Sequence, residues 1–560
     1  MILLVVFLCA LLGAGIYVYV VRYMPTSEKA DLGEYFDGVS GDDMLLYLDL
    51  EEQKTADGNR PLLAQHLNGA VYLPYEWVME HLNRRFYWAQ DKHSIYYTLP
   101  GETRRFGQED RASDGSLCAR YLGSGNSAEL YLSAAFVKEF TDIRYDAFLE
   151  GEHKRVFVYT DWTPYETADL TGKERVRLAG GVKSPVLTEL ARGETVRILE
   201  AMENWTKVLT GDGFIGYLRN KKLSGKTDFT PESSFTVPDY PVLTMPGGRK
   251  PVLGFHQVTN AGANASLLQL IGEGMGHLNV VAPTWFVLSD NAGNFVSYAS
   301  KDYVTQSHAA GLQVWAVVNN FDLGNIDEKP ILRTTEIREK VIRGLVDLAV
   351  QVGVDGLNID LEAIPESLGR DYVQFMRELS VACHQAGLVL SVDCYVPYHY
   401  NTHYDLGELG VFCDYVLIMC YDEHYAGSEE PGSVASIGYT QRGITETAKQ
   451  VPVSRIIIAV PFYTRVWKTK DGKLSSDALS LSGAADWVRE RGVNLTWDFE
   501  VGQNYGQIQD GDTLKQVWLE DVTSLKVKAD KLREAGVGGV AAWKLGWGTP
   551  EIWSILDLNS

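Results

Sequence analysis

Residues Asp355-Gly356-Leu357-Asn358-Ile359-Asp360-Leu361-Glu362 place polar and acidic groups at every second position of an otherwise apolar run. Successive side chains of an extended chain point to opposite faces, so Asn358, Asp360 and Glu362 share one face and Leu357, Ile359 and Leu361 the other. Burying ionisable groups is costly unless they are paired or hydrogen-bonded, so a strand apolar on one side and acidic on the other lines a cleft. Asp355 has the opposite parity and sits beside Gly356 at the strand entrance, where a structural hydrogen-bonding role is expected.

This strand is the fourth of eight similar segments in the last part of the chain: 252–256, 280–284, 313–318, 356–362, 389–393, 415–421, 456–461 and 539–543. Helical patterns intervene, as at 336–352 and 368–386, so successive strands should run parallel with right-handed crossovers. The fold class expected is α/β, a TIM (β/α)8 barrel over 251–560, with a small excursion over the cleft between Pro461 and Gly539. Catalytic groups in such barrels come from the C-terminal ends of strands. Those ends here carry His256 and Gln257, Trp285, Asn319 and Asn320, Glu362, Asp393, Tyr421 and Asp422, Tyr463 and Trp543.

A chain of 560 residues is too long for one core, and its 45% hydrophobic content is that of a folded protein. A net charge of −22 argues against a nucleic-acid binder, which needs a basic surface to neutralise phosphates. Six cysteines (Cys9, Cys118, Cys383, Cys394, Cys413, Cys420) lack metal-ligand or disulfide-framework spacing and read as mostly buried thiols. Nothing implies a metal or an organic cofactor.

Residues 2–21 carry no charge and are long enough to cross a bilayer as a helix. No basic residue precedes them, so an uncleaved single-pass anchor over 1–24 is preferred to a cleaved signal. Residues 40–162 read as a small α+β unit whose Tyr72-Leu73-Pro74-Tyr75, Tyr87-Trp88 and Ser94-Ile95-Tyr96-Tyr97 runs resemble the copper amine oxidase N-terminal-like stalk domain, without a ligand cluster for copper. Short strands over 168–226, with Gly193-Glu194-Thr195-Val196-Arg197-Ile198-Leu199, Trp205-Thr206-Lys207-Val208 and Gly213-Phe214-Ile215-Gly216-Tyr217-Leu218, resemble bacterial Src-homology-3-like domains. Those are commonly credited with wall binding; a spacer without ligand is the alternative. Residues 227–250, rich in Pro, Ser, Thr and Gly, read as a linker.

The motif Asp-Gly-x-x-x-Asp-x-Glu, with Met419-Cys420-Tyr421-Asp422, Pro461-Phe462-Tyr463, Val517-Trp518-Leu519-Glu520-Asp521 and Gly538-Gly539-Val540-Ala541-Ala542-Trp543, resembles glycoside hydrolase family 18, the chitinase-like family. The resemblance makes Glu362 the general acid that protonates the glycosidic oxygen. The substrate's own N-acetyl group then serves as nucleophile, with an oxazolinium-type intermediate and retention. Asp360 would orient the acetamido N–H, Tyr421 would hydrogen-bond the acetamido oxygen, and Trp543 would form the floor under the sugar. Met419, Asp422, Tyr463 and Trp285 are expected to complete the pocket, and Asp355, grouped with them, to support the strand. Trp285, Trp315, Trp467 and Trp547 are candidates for sugar stacking or for core packing. The Trp543-Lys544 peptide bond is expected to be cis.

Asn358 departs from the family pattern, since many chitinases have Asp there. A neutral amide removes one like charge, so Asp360 is expected to stay ionised more easily, and proton sharing between paired aspartates is expected to be lost. Asn358, with Pro283-Thr284-Trp285-Phe286, is similar to the branch acting on spores and cell walls. The implied partner is peptidoglycan outside the cell membrane. The alternatives are a chitinase or chitooligosaccharide hydrolase, and a non-catalytic wall-binding lectin.

Overall fold

The computed structural model describes residues 2–123, 128–324 and 326–559. By its contacts the chain divides into two units, one made of 1–86 with 106–237 and the other of 87–105 with 238–560.

In the second unit eight strands form a closed parallel barrel: β1 (Val252–His256), β2 (Val280–Leu288), β3 (Gln313–Asn319), β4 (Gly356–Asp360), β5 (Val389–Tyr395), β6 (Tyr415–Met419), β7 (Ile456–Pro461) and β8 (Gly539–Trp543). Each pairs with its neighbours in chain order, and β1 pairs with both β2 and β8 to close the ring. Strands covered on both faces need apolar residues at both parities, as in Ile456-Ile457-Ile458-Ala459-Val460. One parity, including Leu253, Phe255, Val317, Leu417, Ile457 and Ala541, fills the barrel interior. The other, including Val281, Val314, Leu357, Ile359 and Ile458, packs against the surrounding helices. The longest of these helices are α1 (Thr335–Val352) and α2 (Gly369–Gln385). In α1 the buried Arg338, Val341, Ile342, Leu345 and Ala349 recur at helical spacing. The helix ends at Gly353, whose φ of 88° suits a residue without Cβ.

Two strand ends differ from the sequence pattern. β2 continues to Leu288, where it pairs with Phe295–Ser297. β4 stops at Asp360, so Glu362 stands just beyond the ladder, before Ala363 with φ of 54°. The excursion after β7 is a five-stranded antiparallel sheet, Lys473–Ser480, Tyr463–Lys470, Thr513–Leu519, Gln503–Asp510 and Leu495–Asp498 in spatial order, with helix Leu481–Arg491.

Residues 87–105, which sequence pattern groups with the small domain at 40–162, pack instead on the barrel's outer helices. The Tyr87 hydroxyl donates to Asp371 at 2.7 Å, and Asp91 accepts from the Thr335 N–H at 2.9 Å. Arg338, fully buried, pairs with Glu378 at 2.8 Å and lies 5.2 Å from the Tyr87 ring centre. These partners are far apart in sequence, and the alternation of 87–97 names a strand without naming what it packs on.

In the first unit, strands between Asp43 and Tyr159 form a mixed sheet, and seven strands between Tyr165 and Phe229 form a small antiparallel sheet around Leu170, Val176, Val196, Val208 and Leu218. Helix Ile2–Arg22 is long and apolar enough to cross a membrane. All six cysteines are free, and all but Cys9 are buried.

Candidate active site

Alternation along β4 turns Asn358 and Asp360 into the barrel, and two residues later Glu362 reaches its C-terminal rim, half-buried. The acid is held at both ends. Tyr395 donates its hydroxyl to Glu362 Oε2 at 2.8 Å. The Asn320 side chain brackets the Glu362 backbone, accepting from its N–H at 3.0 Å and donating to its carbonyl at 2.9 Å. Burial raises the Glu362 carboxyl above its ordinary range; the Tyr395 hydrogen bond opposes this, and Asp422 adds to it. A rim carboxyl group whose proton is held more tightly than usual has the chemistry of a proton donor.

Beneath it lie two more carboxyl groups. Asp360 is 7% exposed and Asp393, from β5, is 4% exposed. Burial, then the charges of Asp393, Glu362 and Asp322, push Asp360 well up. Burial pushes Asp393 up to about 8, opposed by a hydrogen bond from Asn358 and reinforced by Glu362. Asn358 Nδ2 donates to Asp393 Oδ1 at 2.7 Å and to Ser391 Oγ at 2.9 Å. The expectation that Asn358 would let Asp360 ionise more easily therefore fails: Asp393 supplies from the neighbouring strand the like charge that β4 lacks.

The remaining wall is aromatic. Met419 belongs to the interior cluster, with Tyr395, Tyr421 and Trp543 packed against it. Tyr421 and Tyr463 lie 6.4 Å apart edge to face, and the Tyr463 hydroxyl donates to Asp422 Oδ1 at 2.7 Å. Trp543 stands 5.5 Å from Phe255, and the Trp543-Lys544 bond is cis, as expected.

Two of the ten expected site residues lie elsewhere. Asp355 is at the opposite end of β4, where its Oδ2 accepts from the Val314 N–H at 2.8 Å and lies 2.9 Å from His308 Nε2. It joins strand starts and is out of reach of the mouth. Trp285 is fully buried in the layer between strands and helices, edge-on to Tyr303 at 4.9 Å and donating to Asn264 at 2.8 Å. Trp315 and Trp467 are likewise fully buried and belong to cores. Conversely Asn320 and Asp393, noted only as strand-end polar residues, and Tyr395, not singled out at all, are in the site. Tyr395 shares the parity of Asp393 on β5, and that was its one available signal.

A closed barrel that gathers a rim carboxylic acid, two buried aspartates and a tyrosine and tryptophan wall at its C-terminal mouth has the architecture of a carbohydrate-processing TIM barrel. Residues 321–547 match the model of the glycosyl hydrolases family 18, and residues 179–223 that of the bacterial dipeptidyl-peptidase Sh3 domain. The barrel is a family 18 glycosyl hydrolase domain, preceded by a bacterial Src-homology-3-type domain. Over 252 residues the chain is 31% identical to YdhD of Bacillus subtilis (strain 168), named for a sporulation-specific glycosylase, covering 42% of this chain and 59% of that protein. Over 257 residues it is 26% identical to the cortical fragment-lytic enzyme of Bacillus anthracis, covering 43% and 59%. The crystal structure of the Bacillus cereus spore cortex-lytic enzyme SleL shares the fold, with a TM-score of 0.51 and 22% identity over 59% of this chain and 78% of that one. The chain thus spans about three fifths of the length of the first two relatives.

Proposed function

We propose that this chain is a glycosidase that cleaves β-linked N-acetylglucosamine in peptidoglycan or its fragments, held at the outer face of the cell membrane by its N-terminal helix. The observation that carries the reading is Glu362: a half-buried carboxyl group at the barrel mouth, raised by burial and aimed by Tyr395 and Asn320. Glu362 protonates the leaving oxygen. The substrate acetamido group attacks the anomeric carbon, Asp360 receives its N–H, Tyr421 donates to its carbonyl oxygen, and Trp543 carries the sugar ring. Met419, Tyr463 and Asp422 shape the wall of the same subsite. The long apolar helix and the Src-homology-3-type domain suit work at a wall, as do relatives named for the spore cortex.

A second reading, hydrolysis of chitin oligosaccharides, draws on the similarity to Endochitinase 1 of Metarhizium anisopliae, 25% identical over 256 residues. A non-catalytic wall lectin is the third, and the presence of Glu362 speaks against it. Incubating the protein with purified sacculi and with chitin, and analysing soluble fragments by mass, separates the substrates: muropeptide-bearing fragments with a new reducing N-acetylglucosamine end are expected. Glu362→Gln should lower release by at least about a hundredfold. Chitin fragments with intact sacculi would replace the first reading by the second, and unchanged release by the variant would remove Glu362 as the acid.

A further inference from the structure

The interior of this site holds more negative charge than β4 can explain. Asp360 and Glu362 come from β4, Asp322 follows β3, and Asp393 is brought by β5. Among the described residues no lysine or arginine pairs with Asp360, Glu362 or Asp393. What faces Asp393 is the Asn358 amide and the two carboxyl groups of β4, with Tyr421 from the end of β6, Tyr372 from α2 and the adjacent Cys394 thiol near enough to feel its charge. Three carboxyl groups so placed cannot all ionise together; at least one proton stays in the cluster.

The geometry also says which group is fixed and which is free. Asp393 is anchored: Asn358 Nδ2 donates to its Oδ1 at 2.7 Å, and the same amide group is tied to Ser391 Oγ at 2.9 Å. Asp360 is not anchored in the same way, since its Oδ1 is buried without a hydrogen-bond partner among the described residues, as is Asn358 Oδ1. Asn358 is therefore more than a missing charge. Its amide can donate where an ionised aspartate at that position would repel, and the carboxyl group it holds is Asp393. Glu362, tethered by Tyr395 at the rim, is the group placed to meet a leaving oxygen, whereas Asp393 lies deeper, level with Asp360 on the neighbouring strand.

We propose that Asp393 is a positioning residue for the reaction: clamped by Asn358, it is the second carboxyl group of the site, carried on β5 instead of β4, and it holds the proton that Asp360 gives up. One proton is shared between Asp360 and Asp393. When a substrate acetamido N–H approaches, Asp360 ionises to accept it, and the shared proton resides on Asp393. No bond to carbon changes in this step, and charge is conserved within the pair. The inference rests on the glycosidase reading above for its consequence in catalysis, but the proton sharing itself is a property of the free protein.

The test uses three full-length variants, Asp393→Asn, Asn358→Asp and the exchange Asn358→Asp/Asp393→Asn, with two readouts. The first is reducing-end release from solubilised peptidoglycan strands as a function of pH. Asp393→Asn should lower kcat by about tenfold or more with KM within about twofold. Its alkaline limb should move down by about one pH unit, because removing a like charge makes the remaining protons easier to lose. The exchange variant should recover most of the lost kcat and return the limb upward. The second readout, the infrared C=O band of protonated carboxyl groups titrated in the free protein, does not depend on turnover. A band titrating near neutral pH should disappear in Asp393→Asn and return in the exchange variant. If the parent protein releases no reducing ends, the glycosidase reading fails while the infrared titration still decides on the shared proton. An unmoved limb in Asp393→Asn, an exchange variant no better than Asp393→Asn, or an infrared titration identical in the parent and Asp393→Asn would each overturn the proposal. Should Asp393→Asn not fold, the parent titration and the exchange variant carry the same test.

Discussion

Replacing Tyr395 with Phe isolates one hydrogen bond at the general acid. The Tyr395 hydroxyl donates to Glu362 Oε2 at 2.8 Å, and it also accepts from the Ala363 N–H at 3.2 Å, an exposed donor that water can satisfy. Phe keeps the edge-to-face packing on Tyr404, 5.9 Å away, so the perturbation is confined to the hydroxyl. A hydrogen bond to a charged group is worth about 1.5–3 kcal/mol, and this one favours the ionised carboxylate. At about 1.4 kcal/mol per pKa unit, its loss should raise the Glu362 pKa by about one to two units; exposure of the half-buried carboxyl to water argues for the lower figure. The acid must be protonated to act, so the alkaline limb of the kcat/KM profile should move up by about one unit. At the parent optimum kcat should fall several-fold, because only the Asn320 contacts to the Glu362 backbone then hold the acid. The assay is reducing-end release across the pH range, with each profile fitted for its two limbs. A limb that stays put or moves down would refute the argument that Tyr395 stabilises the ionised acid. The direction is opposite to that expected for Asp393→Asn, so a general loss of structure cannot mimic both.

Four further outcomes follow from other residues. Trp285→Phe should lower stability by about 1–3 kcal/mol in urea denaturation, through the lost hydrogen bond to Asn264 and the lost volume, with KM unchanged; Trp543→Ala should instead lower kcat/KM by at least about tenfold with a smaller effect on stability. Arg338→Ala leaves the Glu378 carboxylate, 9% exposed, without its 2.8 Å partner, and should cost about 3–5 kcal/mol by the same measurement. The burial that lifts Asp393 from an ordinary 3.8 to about 8 means that the native state holds a proton the unfolded chain has lost between those values. This contribution to stability is present below the unfolded pKa and declines by about 1.4 kcal/mol per pH unit as pH rises through the window, so denaturation series between about pH 5 and about pH 8 should show a shallower decline in Asp393→Asn than in the parent.

The barrel was legible because its information is local. Strands covered on both faces read as apolar runs, and the ends of β1, β7 and β8 fall where turn residues and changes of pattern put them. The parity of β4 placed Asn358, Asp360 and Glu362 correctly for the same reason. For Trp285, parity outweighs strand-end position. It alternates against Val280 and Ala282, which face the interior, and the strand runs on past it to Leu288. Asp355 shows the same rule from the other side, since its parity already excluded it from the acidic face.

What could not be read was pairing between elements distant in sequence. The alternation in 87–97 is that of a strand whether it packs on a small domain or on α1 and α2, and the contacts of Tyr87 with Asp371 and Arg338 and of Asp91 with Thr335 decide. The same limit governs the site. Within β4, Asn358 registers as a deleted charge, and deletion predicts an Asp360 that ionises readily. Across the β4–β5 pairing, where Asn358 lies opposite Ser391 and reaches Asp393, the deletion becomes a relocation, and Asp360 again faces a like charge. A substitution within a catalytic strand is thus interpretable only together with the inward residues of the strands beside it. Here burial, together with the carboxyl group two positions along β5, reverses the sign of the conclusion.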